Sequence, residues 1–173
     1  MKNKDTWIYK VFFMAFFLAV LFSSASNYIA NEFNSIVLIV IIVIVILIGI
    51  IFDIVGVSVL SATEATYHAK AAQKVKGAKE SVDLLKNAPK VSNFCNDVIG
   101  DICGIVSGGL GAVLALELSL NFSINPLWFT IGITSLISAT TVGGKAIGKN
   151  IASAKCGSIV FAVGKILSIF KKK

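Results

Sequence analysis

Arginine is absent from this chain, and all sixteen basic residues are lysine. Arginine is the side chain best suited to bidentate contacts with phosphates and base edges. A net charge of +7 is therefore not read as a sign of nucleic-acid binding. Charge of either sign is scarce, at 14% of residues, where a soluble domain carries about 25%. Cys95, Cys103 and Cys156 form no close-spaced metal motif and read as small buried thiols. The sequence contains no nucleophile–His–acid set and no glycine-rich phosphate loop. Enzymatic chemistry and an organic cofactor are accordingly not expected.

What fills the chain instead is apolar: 56% of the residues are hydrophobic, and the mean hydropathy is +0.87. A soluble domain of this length cannot hide that much apolar surface, so the expected fold class is an all-α integral membrane protein. Four spans are expected, over about 7–30, 36–60, 93–119 and 126–143, within a single membrane domain. In the first, Trp7, Tyr9 and Tyr28 stand like interfacial anchors, and the stretch from Tyr9 to Tyr28 rises roughly 28 Å as a helix. A signal peptide is the rival reading for this segment; a retained anchor is favoured. The second span, SIVLIVIIVIVILIGIIF, is almost entirely branched aliphatic, which in lipid must be helix.

Residues 61–90 are polar, with six lysines and three acids, and read as two short juxtamembrane helices broken near Gly77 and ended at Asn87-Ala88-Pro89. Pro126 opens the fourth span, with Trp128 as an anchor. Residues 145–173 read as a helix lying at the membrane surface, closed by Lys171, Lys172 and Lys173. Lysines fall before or at the start of the first span, within 61–90, and after the fourth span. The loops around 31–35 and 119–125 contain none. The positive-inside rule then gives a multi-pass protein of the cell membrane with both termini cytoplasmic. The lysine-rich segments are further expected to contact anionic lipid.

Carboxylates inside apolar spans are costly and usually mark a partner or a pathway. Asp53 lies near the cytoplasmic end of the second span. Helical geometry carries its stripe on through Ser61 to Glu64, which returns to within about 20° of Asp53. In the third span Asn93, Asp97 and Asp101 follow at i, i+4, with Asn96 and Gly100 flanking them. Two facing polar stripes would form an oxygen-rich site for Mg²⁺ or Na⁺ from Asp53, Ser61, Glu64, Asn96, Asp97, Gly100 and Asp101. Glu117 is expected to be exposed near the opposite face. Gly100, Gly104, Gly108 and Gly111 form a small-residue ridge suited to close helix packing. His68, four residues after Glu64, reads as solvated.

Residues 57–101 also resemble the transmembrane domain of the CorB/CorC and cyclin M (CNNM) divalent-cation transporters. The resemblance rests on Leu60-Ser61-Ala62-Thr63-Glu64-Ala65, Gly77, Leu84-Leu85, Pro89 and Ile99-Gly100-Asp101, with a weaker continuation at Gly144-Lys145-Ala146-Ile147-Gly148-Lys149. The departures are Asp101 where the family usually has Asn, Ile105 where a second polar residue is usual, Lys145 for a Glu, and Gly148 for a Pro. The chain also stops short of the cytosolic nucleotide-binding modules of many members. The resemblance implies a homodimeric membrane core without nucleotide control, and a cytoplasm-facing cation site using Ser61, Glu64 and Asp101. The function expected is cation transport or exchange, most simply of Mg²⁺. The competing readings are an accessory or cation-sensing protein on the same scaffold, and a holin-like pore former.

Overall fold

The computed structural model describes the backbone of residues 2–170 and the side chains of residues 9, 13, 16–29 and 32–170. The described chain is helical, with no strand. Its elements are α1 (Lys2–Glu32), α2 (Ser35–Ser61), α3 (Ala65–Ala72), α4 (Ala78–Lys86), α5 (Ala88–Asn93), a π-helical turn (Phe94–Ile99), α6 (Gly100–Asn121), α7 (Pro126–Ala154) and α8 (Cys156–Phe170). Three helical stretches are long and apolar enough to cross a membrane: Ser35–Ser61, Ala88–Asn121 and Pro126–Ala154. In α1 the described apolar stretch is the shorter Phe16–Ile29. The anchor expected at Trp7 and the closing Lys171, Lys172 and Lys173 lie outside the described side chains.

Local chemistry explains the helix starts. Asn34 accepts a hydrogen bond from the Val37 N–H at 3.2 Å, capping α2. Asn125 does the same for the Leu127 N–H at 3.0 Å, and Pro126, which has no N–H to satisfy, opens α7. The expected break at Gly77 is present: its φ is +89°, a left-handed conformation that glycine adopts at no steric cost.

Other boundaries differ from the sequence reading. The second polar helix does end at Asn87, but Pro89 does not keep the chain out of helix, because it sits in the first turn of α5, where a missing N–H is harmless. The third helical run therefore starts at Ala88 and not near 93. α7 passes through Gly143-Gly144 to Ala154, so residues 145–154 belong to it and the terminal helix is Cys156–Phe170. Two glycines inside a long helix lower its propensity without breaking it.

The contacts divide the chain into two compact units, residues 1–46 with 102–140, and residues 47–101 with 141–173. In the first, Ser26 is buried beside Gly109, Gly111 packs against Ile137, and Ser35 Oγ donates to Glu117 Oε1 at 2.7 Å. Glu117 is thus half-buried and hydrogen-bonded, not the exposed residue expected. The glycine ridge is not one packing seam, since nothing lies within 4 Å of a Cβ added at Gly104 or Gly108.

The second unit has its own core. Val59, Tyr67, Val82, Leu85 and Val160 pack together, joined by Val55, Ala62, Ala71, Ala88, Val91 and Phe161. Polar side chains bolt this core to backbone carbonyls: Tyr67 Oη donates to Gly157 at 2.7 Å and Ser58 Oγ to Ala152 at 3.4 Å. Gly164 meets the Gly77 carbonyl and Ser81 so closely that a side chain there would overlap both.

Candidate functional site

Two of the seven residues singled out in the sequence hold buried oxygens without donors within the second unit. Asp53, on α2, is 4% exposed, and its Oδ2 has no hydrogen-bond partner. One turn further along the same helix is Gly56, and a Cβ there would collide with the side-chain oxygen of Asn96. Asn96 donates from Nδ2 to Ser92 Oγ at 3.1 Å, leaving its buried Oδ1 with no donor. Two acceptor oxygens without donors thus lie within this unit, Asn96 Oδ1 against Gly56 of α2 and Asp53 Oδ2 on a residue one turn before Gly56. The absence of a side chain at Gly56 is what lets Asn96 reach α2.

The π-helical turn carries Asn96, the residue that faces α2. The i, i+4 stripe of Asn93, Asp97 and Asp101 runs along the outer side before, within and after that turn. All three are exposed, while Cys95, Asn96 and Gly100 turn inward to different degrees, Cys95 and Gly100 fully. The Lys145 side chain lies beside Gly100, with Nζ 3.1 Å from a Cβ added there.

Ser61 and Glu64 are displaced for a different reason. α2 stops at Ser61, and Ala62 and Thr63 are not helical, so the stripe from Asp53 does not run on to Glu64. Glu64 precedes α3 and pairs instead with His68, Oε2 to Nε2 at 3.2 Å, both side chains about half exposed. Ser61 is exposed and lines a hollow on the α3–α8 side. Among the described residues, no three of His, Cys, Asp and Glu converge as a set of metal ligands. Cys95 and Cys103 are buried and Cys156 is partly exposed.

Sequence reasoning weighted the acids and undervalued Asn96 as a neutral neighbour. The available signal was Gly56, a small residue one turn from a buried acid, where a partner side chain can enter. Comparison with protein-family models, curated proteins and solved structures finds no match.

Proposed function

We propose that this chain is a four-span protein of the cell membrane that binds and moves a small hard cation, with Asp53 and Asn96 as the protein ligands. The observation that carries the reading is the pair of buried oxygens with no donors, Asp53 Oδ2 and Asn96 Oδ1. Buried acceptors are almost always satisfied, and a buried carboxylate without a partner is strongly destabilising. A cation between the two oxygens would meet both needs. One carboxylate and one amide carry a single negative charge, which matches Na⁺, or Mg²⁺ that retains most of its water. The nearby Lys145 ammonium further disfavours a bare divalent ion. The likeness of residues 57–101 to the CorB and cyclin M transporters supports the cation class and implies a homodimer. Placing every lysine segment on one side gives cytoplasmic termini.

The test is ion flux into proteoliposomes together with thermal stability in Na⁺ and in Mg²⁺. Wild type should be stabilised by one of the two and should pass it. Asp53→Asn should lose both effects while remaining inserted, and Asn96→Ala should weaken them. Stabilisation without flux would replace transport by cation sensing. No effect of either ion on wild type would overturn the reading.

A further inference from the structure

We propose that a hollow between α3 and α8 binds the phosphate group of an anionic phospholipid, gripped by Lys70 and Lys165. The hollow has a volume of about 270 Å³ and is lined by Lys70, Gly157, Ser158, Phe161, Ala162 and Lys165. Both ammonium groups sit on the same aromatic ring, Lys70 Nζ 4.6 Å and Lys165 Nζ 4.7 Å from the Phe161 centroid. A cation over a ring gains about 0.5–1 kcal/mol at an exposed site, enough to hold an ammonium in place but not to neutralise it. Two lysines pinned by one ring repel each other unless an anion joins them. No Asp or Glu lines this hollow, and the one acid close by in sequence, Glu64, is engaged with His68.

Other features fix the chemistry and the source of the anion. A neighbouring hollow of about 490 Å³ shares Lys70, Gly157 and Ser158 and adds the hydroxyl-bearing Ser61, Thr63 and Thr66. Ammonium and hydroxyl donors together suit phosphate oxygens, and the first turn of α8 adds its favourable dipole end. Ser61 is the last residue of α2, a 27-residue apolar helix long enough to span. That helix rises about 40 Å, the thickness of a bilayer with its headgroups, so the neighbouring hollow at its end lies at the level of lipid phosphates. It shares no residue with the Asp53–Asn96 pair, so the two proposals can fail separately.

The experiment follows the melting temperature of the full chain in detergent micelles containing either dioleoyl phosphatidylglycerol or dioleoyl phosphatidylcholine. Binding to the folded state raises stability, so phosphatidylglycerol should raise Tm by roughly 5 °C over phosphatidylcholine. The double variant K70Q/K165Q should lose most of that rise, and K70R/K165R should fold and keep it. K74Q/K76Q removes the same charge from exposed positions of the same segment and should keep it too. Equal losses in K70Q/K165Q and K74Q/K76Q, or no rise with wild type, would overturn the site. In a further arm, inorganic phosphate is added to phosphatidylcholine micelles at matched ionic strength. A rise there equal to that from phosphatidylglycerol would overturn the lipid as the source and assign the hollow to a soluble phosphate.

Discussion

Residues 35–46 of α2 bury Leu38, Ile42 and Ile46 and leave Ile36, Val40 and Ile44 half or more exposed, as aliphatic side chains that only lipid would welcome. Residues 47–61 of the same helix bury Asp53, Gly56, Ser58 and Val59. The first stretch needs only apolar bulk, because its backbone is satisfied within the helix and its outer side chains have no fixed partners. The second is held by single-atom fits: Gly56 under Asn96, and Ser58 against the Ala152 carbonyl. Two segments joined in one helix thus differ in how many substitutions each tolerates. That difference is also where chemistry becomes possible, since only the second stretch keeps polar oxygens away from solvent.

The largest effect that sharpens this contrast is expected at Gly164. A methyl group there would overlap the Gly77 carbonyl and Ser81 Oγ, and the Gly77 backbone cannot give way without disturbing a left-handed residue. Gly164→Ala should destabilise by about 3 kcal/mol, at the upper end for overpacking. Gly108→Ala, where nothing lies within 4 Å, should cost nothing and gain up to about 1 kcal/mol from helix propensity. Thermal melts of the two variants side by side would show whether close fit is confined to the α4–α8 contact. Equal effects would mean that the glycines act through propensity alone.

Asp53→Leu comes next. With Oδ2 unpartnered, an apolar residue of similar volume should stabilise the ion-free protein by about 2 kcal/mol, while abolishing any ion-dependent rise in Tm. A stabilised protein without ion response is the expected trade between function and stability. Loss of stability in the absence of added ions would instead mean that Asp53 is already paired.

Tyr67 offers a smaller test within the same unit. Its hydroxyl donates to the Gly157 carbonyl at 2.7 Å, and burial, with Cys156 a lesser contributor, pushes its ionisation above the usual 10.0. The unfolded chain then loses the phenolic proton at lower pH than the folded one. Stability from this group is complete below about pH 10 and falls as pH rises beyond it. Tyr67→Phe should cost about 1 kcal/mol at pH 7 and flatten that alkaline decline. Melts at pH 7 and across the range above pH 9.5 would check both parts.

The all-helical class and the break at Gly77 were legible because composition and a left-handed glycine leave little choice. The buried stripe of α2 was not. Leu38, Ile42, Ile46, Gly49, Asp53 and Gly56 recur at three- and four-residue spacing, yet the whole helix is apolar and hides its own periodicity. The interruption at Ala62-Thr63 was equally hidden, since neither residue breaks a helix by itself. The π-helical turn has no proline or glycine to announce it, and it is within this turn that Asn96 faces inward while Asp97 faces out.

Asp101→Asn is the smallest expected change and the one that separates the two placements of the site. The family resemblance puts Asp101 among the ligands, where the resembled transporters usually carry Asn. The structure leaves Asp101 exposed, beyond the π-helical turn and outside the Asp53–Asn96 pair. An exposed acid without a fixed partner contributes within about 0.5 kcal/mol to stability, so the melt should be unchanged. More to the point, the ion-dependent rise in Tm should survive intact in Asp101→Asn and vanish in Asp53→Asn. If the reverse pattern appeared, the ion would be held at the outer acids, and the buried oxygens would be a packing feature met by water. That outcome would also require α6 to rotate by about 100° from the arrangement described, because one residue of helical register separates the exposed face from the buried one.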